Sequence, residues 1–171
     1  MPTLGAGRVD ALRESRKEKR KVGLYGNPGQ WHKATPLRLE LNRSSFRAGD
    51  ALVINLTPAT PMYVSVFNWR PAFNRDNVVR LFPNEIEKNN FIRNAVRLPS
   101  ISAEKNYSFE LEWLAPAGED KDSMSEWVIV VATKKPMPWL AVYDMQRFKE
   151  KLLEIPADQR RVVHRPYVLM R

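Results

Sequence analysis

The chain has no cysteine, only two histidines, seven glycines in 171 residues and no long apolar run. Each scarcity removes a class of function. Without cysteine there is no disulfide, thiolate metal site or thiol nucleophile, and His32 and His164 are the only soft ligands, far apart and with no partner at metal-ligand spacing. The sparse glycines form no phosphate-cradling loop, and Ser44-Ser45 lacks the Gly-x-Ser-x-Gly surroundings of an activated serine. No segment approaches the roughly 20 apolar residues needed to cross a bilayer as a helix, so no transmembrane segment is expected. The N-terminal MPTLGAGRVDALRESRK lacks the apolar stretch of a secretory signal. Its linker-like opening suggests a fragment of a longer protein, which leaves the compartment undetermined. A full-length chain of this kind would be cytoplasmic.

Positive charge and proline are plentiful: the net charge is +9 and there are 13 prolines. Much of the charge lies near the N-terminus, where Arg8, Arg13, Arg16, Lys17, Lys19, Arg20 and Lys21 outweigh Asp10, Glu14 and Glu18. Residues 1–34 therefore read as a basic, flexible arm or linker. A basic balance suits an acidic partner, such as nucleic acid, anionic lipid, an acidic polysaccharide or an acidic protein surface. The run Arg16, Lys17, Lys19, Arg20 and Lys21 is the candidate polyanion contact. It lacks interleaved aromatics for base stacking, and a run of this kind is usually a solvated, mobile segment.

From Pro36 onward the pattern is that of strands. Leu37, Leu39 and Leu41 alternate with polar residues, as do Leu52, Ile54 and Leu56, and as do Tyr107, Phe109, Leu111 and Trp113. Met62 to Trp69 is β-branched and aromatic on both faces, the mark of a central strand. Val78 to Phe82, Val96 to Leu98 and Trp127 to Thr133 complete the series, with Phe46 to Asp50 expected as a turn. About seven strands separated by turn signals predict an antiparallel, immunoglobulin-like β-sandwich over residues 35–140. Beyond Pro138 the period becomes helical: Ala141, Met145, Phe148 and Leu152 predict a C-terminal α-helix, and Val162 to Met170 an edge strand that tolerates Pro166. Residues 141–171 are thus expected to pack on the sandwich.

Phe46 to Asp50, Tyr63 to Asn68, and Val79-Arg80-Leu81-Phe82-Pro83-Asn84 together resemble the bacterial domain-of-unknown-function family 4384. Asn89-Asn90, Leu98-Pro99, Pro116-Ala117-Gly118-Glu119 and Ala132-Thr133 continue the resemblance. Two departures fall at turns: an acidic insertion over residues 120–125, and Asn94-Ala95 where a glycine is usual. The resemblance implies an accessory β-domain of secreted, envelope-associated or signalling proteins, without established chemistry. It thereby suggests the cell envelope or periplasm.

Few residues point to chemistry. Glu110 and Glu112 would stand about 7 Å apart on one strand face, a separation near that of some glycosidase carboxylates, but alternating charge is what a solvated strand face shows. Asn84, Glu85, Glu87, Asn89 and Asn90 cluster oxygen ligands, yet not at the spacing of a calcium loop. Asn84 also suits a turn cap. Asn84, Glu85, Asn89 and Asn90 are kept as a candidate recognition loop. Of the five tryptophans, Trp31 and Trp139 lie in proline-flanked or loop-like segments. Each either marks a contact surface or pins the arm and the helix. No catalytic residue, metal or cofactor is expected. The expectation is a non-catalytic binding or assembly module contacting a protein partner or sister domain, with electrostatic binding of nucleic acid or another polyanion as the alternative.

Overall fold

The computed structural model describes residues 36–71, 77–114 and 121–171. The arm, its basic run and Trp31 lie outside the described residues, as do His32 and the Pro-Ala-Gly-Glu loop. What is described is mainly β, in three sheets with one helix.

The largest sheet is seven-stranded, in the order β11 (Val142–Tyr143), β6 (Val78–Phe82), β5 (Met62–Trp69), β10 (Ser123–Thr133), β12 (Arg160–Met170) and β2 (Ser45–Arg47), with β7 (Phe91–Ile92) also paired to β5. All its pairings are antiparallel except β12 with β2. A three-stranded sheet holds β1 (Leu37–Leu41), β4 (Ile54–Pro58) and β8 (Val96–Leu98), and β3 (Ala51–Leu52) pairs with β9 (Phe109–Glu110).

The large sheet buries both faces. Val64 and Val66 on β5 and Val128 and Val130 on β10 join Leu37, Leu39, Ile54 and Leu56 of the small sheet in one core. That core makes the sandwich. The alternate residues, Phe67 and Trp69 on β5 and Ile129 and Val131 on β10, form a second core with Trp139, Tyr143, Phe148 and Leu152. Two-sided burial is why Met62 to Trp69 and Trp127 to Thr133 read as nearly continuous apolar runs instead of alternating. A fully buried ring such as Phe67 or Phe148 contributes about 1.5–3 kcal/mol by leaving water.

Several expected elements have different bounds. The alternation Leu52, Ile54, Leu56 is split into β3 and β4, because the Asn42 side chain donates to Ala51 O (3.1 Å) and accepts from Val53 N (2.9 Å), occupying the ladder there. Phe46 belongs to β2 and is buried, and the turn proper is Ala48 to Asp50, where Gly49 takes φ +88° and Asp50 Oδ2 accepts from Arg47 N at 2.8 Å. Residues 107–113 keep their alternation, but only Phe109–Glu110 forms a ladder, and Leu111 instead exchanges backbone bonds with Gly49 and Asp50. Ser123 to Ser125, expected in an acidic loop, extend β10 because they pair with Val168 to Met170.

Ala141 is not helical. The helix, α1 (Met145–Leu153), starts after Asp144, whose side chain accepts from Arg147 N at 2.8 Å as an N-cap. Ahead of it, Ala141 O accepts from Arg80 N and Val142–Tyr143 pair with β6, which holds that stretch extended. Pro166 lies within β12, opposite Trp127. It is tolerated because β2 covers the other side of β12 only at residues 168–170.

Candidate functional site

Between the large and small sheets the segment 91–98 passes from β7 to β8, and along it runs an open cleft of about 1360 Å³. The flanking residues come from the 86–89 turn and the 100–105 loop. Its floor includes Phe82, Ile92 and Leu98 of the sandwich core. Two large aliphatic side chains on its rim stay in water: Ile86 is 49% and Ile101 72% exposed. Singly exposed apolar residues are ordinary; these two line the same cleft.

The cleft is also cationic. Lys88, Arg93, Arg97 and Lys105 line it against a single carboxylate, Glu87. Arg97 is engaged by Glu104 at 2.9 Å and donates to Pro99 O at 2.6 Å, and the Arg93 guanidinium sits 4.9 Å from the Phe91 ring centre. Among the described residues, no carboxylate forms an ion pair with Lys88, Arg93 or Lys105.

Glu87 is structural. It accepts from Ser100 N at 3.2 Å and from the Tyr107 hydroxyl, tying the 84–90 loop to the 100–107 loop. Burial alone would raise its pKa, but the hydrogen bonds from Ser100 and Tyr107 outweigh that and hold it below the usual carboxylate value. Tyr107 is pushed the other way, up to about 12, by burial and by its bond to that carboxylate.

The candidate recognition loop shapes one wall of the cleft. Asn84 Oδ1 accepts from Ile86 N (2.9 Å) and Glu87 N (2.8 Å), and its amide donates to Leu81 O at 3.0 Å. Asn89 Oδ1 accepts from Phe91 N at 3.1 Å, and Asn90 Nδ2 donates to Val64 O at 3.0 Å. These asparagines are used in holding backbone. Glu85 is exposed beside them. Trp139 is buried in the second core with its ring 5.3 Å from Phe67 and 5.9 Å from Phe148, so it pins the helix side of the sheet and offers no contact surface. Glu110 and Glu112 are exposed. The cations of the cleft went unnoticed in the sequence because they follow no period. Their only signal was the positive charge left over once the arm is set aside.

A second polar cluster lies inside the sandwich core. Arg70 Nε donates to Asn68 Oδ1 (2.8 Å), Asn68 Nδ2 donates to the Tyr167 hydroxyl (2.8 Å), and that hydroxyl donates to Glu126 Oε2. The chain crosses three neighbouring strands, β5, β12 and β10, and runs in one direction toward a carboxylate only 4% exposed. Burial raises the pKa of Glu126 despite these donors, and burial together with the neighbouring carboxylate raises that of Tyr167. A fully satisfied chain of this kind fixes strand register. Among the described residues, no group of three or more histidines and carboxylates could hold a metal ion, and no helix is long and apolar enough to cross a membrane.

Among solved structures, the chain is similar to a DUF4785 family protein from Legionella pneumophila, at 12% identity and a TM-score of 0.43, covering 80% of this chain and 28% of that one. The chain thus spans under a third of that protein's length. No curated protein matches it. A family model described as a domain of unknown function, DUF4384, matches residues 45–136, more than half of the chain, from β2 through the cleft to the end of β10. The protein belongs to the DUF4384 family.

Proposed function

We propose that this chain is a non-catalytic binding module that contacts a protein partner through the cleft along residues 91–98. The observation that carries this reading is the composition of the cleft. Lys88, Arg93 and Lys105, with no carboxylate partner among the described residues, line the same cleft as exposed Ile86 and Ile101, beside a loop held by Asn84, Asn90 and Glu87. Its volume exceeds the roughly 300–1,000 Å³ of small-molecule sites, which favours a chain segment over a metabolite. The immunoglobulin-like reading of the sandwich, and a setting as an accessory module of a bacterial envelope or signalling protein, rest on the resemblance and form part of the proposal.

The test is capture of partners from source-cell lysate by the full chain and by an Arg93→Glu, Ile101→Asp double variant, each washed at low and high salt. A defined protein retained by the native chain at high salt and lost by the variant supports the reading. Equal retention by both removes the cleft from it. Recovery of nucleic acid alone, released by salt and dependent on residues 1–34, would replace the proposal with electrostatic binding through the arm.

A further inference from the structure

We infer that β8 is an open sheet edge that takes an extended acidic segment of a partner protein by strand addition, an inference that rests on the cleft being a protein-binding site. Among the described residues, Val96–Leu98 pair with β4 on one side only, since the three-stranded sheet runs β1, β4, β8. The other side of β8 faces the cleft, which is lined by every residue from Phe91 to Leu98. Antiparallel pairing uses alternate backbone groups of a strand, so the set not bonded to β4 is directed toward the cleft. An unpaired edge of this kind is a template for another strand.

The side-chain pattern of β8 specifies what such a strand carries. Val96 and Leu98 lie opposite Leu56 and Ile54 and pack on the sandwich core, whereas Arg97 lies opposite Asn55 on the other face. Neighbours across a ladder share a face. An added strand therefore places aliphatic residues beside Val96 and Leu98 and, alternating with them, residues beside Arg97. Arg97 is already engaged by Glu104, but Lys88, Arg93 and Lys105 also line the cleft with Glu87 as its one lining carboxylate, so those alternate residues are acidic. A basic strand would meet like charge. Nucleic acid offers no alternating apolar side chains, and the one aromatic ring lining the cleft besides core Phe82 is Phe91, already covered by Arg93.

The experiment follows backbone amide shifts of the isotope-labelled full chain on adding short blocked peptides that alternate Glu with Val. Parallel titrations use the Lys-Val counterpart and a Glu-Val peptide N-methylated at alternate residues. The expected result is movement of the Val96 to Leu98 amides with the Glu-Val peptide, loss of that movement when the bonding register is methylated, and at least tenfold weaker binding of the Lys peptide. A Lys88→Glu, Arg93→Glu, Lys105→Glu variant that keeps the native spectrum elsewhere should reverse the preference. If the methylated and unmethylated acidic peptides bind the cleft equally, strand addition is wrong while the cleft remains a protein-binding site. Should no peptide move any cleft amide, the inference is overturned, and the capture experiment with the Arg93→Glu, Ile101→Asp variant then decides separately whether the cleft binds anything.

Discussion

Replacing Tyr167 by Phe keeps the ring that packs edge-on against Phe46 at 5.4 Å and removes only the hydroxyl. That hydroxyl is both the acceptor for Asn68 and the donor to Glu126, so its loss strands a buried carboxylate. When the carboxylate is ionised, the cost is that of an unsatisfied buried charged group, about 2–3 kcal/mol; when protonated, it falls to about 1 kcal/mol, a neutral bond. The direction with pH follows from the raised pKa of Glu126. Its folded value lies above the unfolded one, so stability is fully present below the unfolded value and is lost as pH rises through the folded value. Removing the Tyr167 donor raises the folded value further, and the penalty of Tyr167→Phe therefore grows with pH. Urea unfolding followed by tryptophan fluorescence, which Trp69 and Trp127 in contact at 4.9 Å should report, measures it at about pH 5 and about pH 8. The larger loss is expected at the higher pH. In a Glu126→Gln background, where no charge can be stranded, the penalty of Tyr167→Phe should shrink to about 1 kcal/mol at both. A penalty that ignores both pH and background would refute a charge-directed chain in the core.

Two further substitutions probe the walls of the cleft and the second core. Asn84→Ala removes three side-chain bonds to backbone and should cost about 2 kcal/mol, with faster amide exchange at Ile86 and Glu87 as its local signature. Phe148→Ala empties a site bordered by the rings of Phe67, Trp139 and Tyr143 and should cost about 3–5 kcal/mol in chemical denaturation, with the amides of α1 losing protection before those of β5.

The sheets were readable wherever burial is one-sided or complete, because Leu37 with Leu39, and the apolar run from Met62 to Trp69, carry their surroundings in their spacing. What spacing does not carry is who pairs with whom. The break at Val53 depends on the side chain of Asn42, eleven residues away, and the start of α1 depends on Tyr143 being drawn into a ladder with β6. Turn capping at Asn84 follows from its amide chemistry, but the residues that give the cleft its character are not legible in the sequence, for a physical reason. Lys88, Arg93, Arg97 and Lys105 sit on turns, a short strand and a loop, and converge only because β7 and β8 belong to different sheets.

The pairing of β12 has a consequence for the order in which this molecule comes together. β10, at the middle of the large sheet, finds one neighbour, β5, well before it in sequence, and the other, β12, only in the last eleven residues before Arg171. β2, near the start of the described chain, has no sheet partner among the described residues except Val168 to Met170. A ribosome must therefore release residues 160–170 before β2 or the second flank of β10 is covered. Joining β2 to Val168–Met170, over a hundred residues further on, is slow compared with forming a hairpin, and until β12 emerges one flank of Trp127 to Thr133 is unpaired as well. Chaperone contact during synthesis is expected to concentrate on that apolar run.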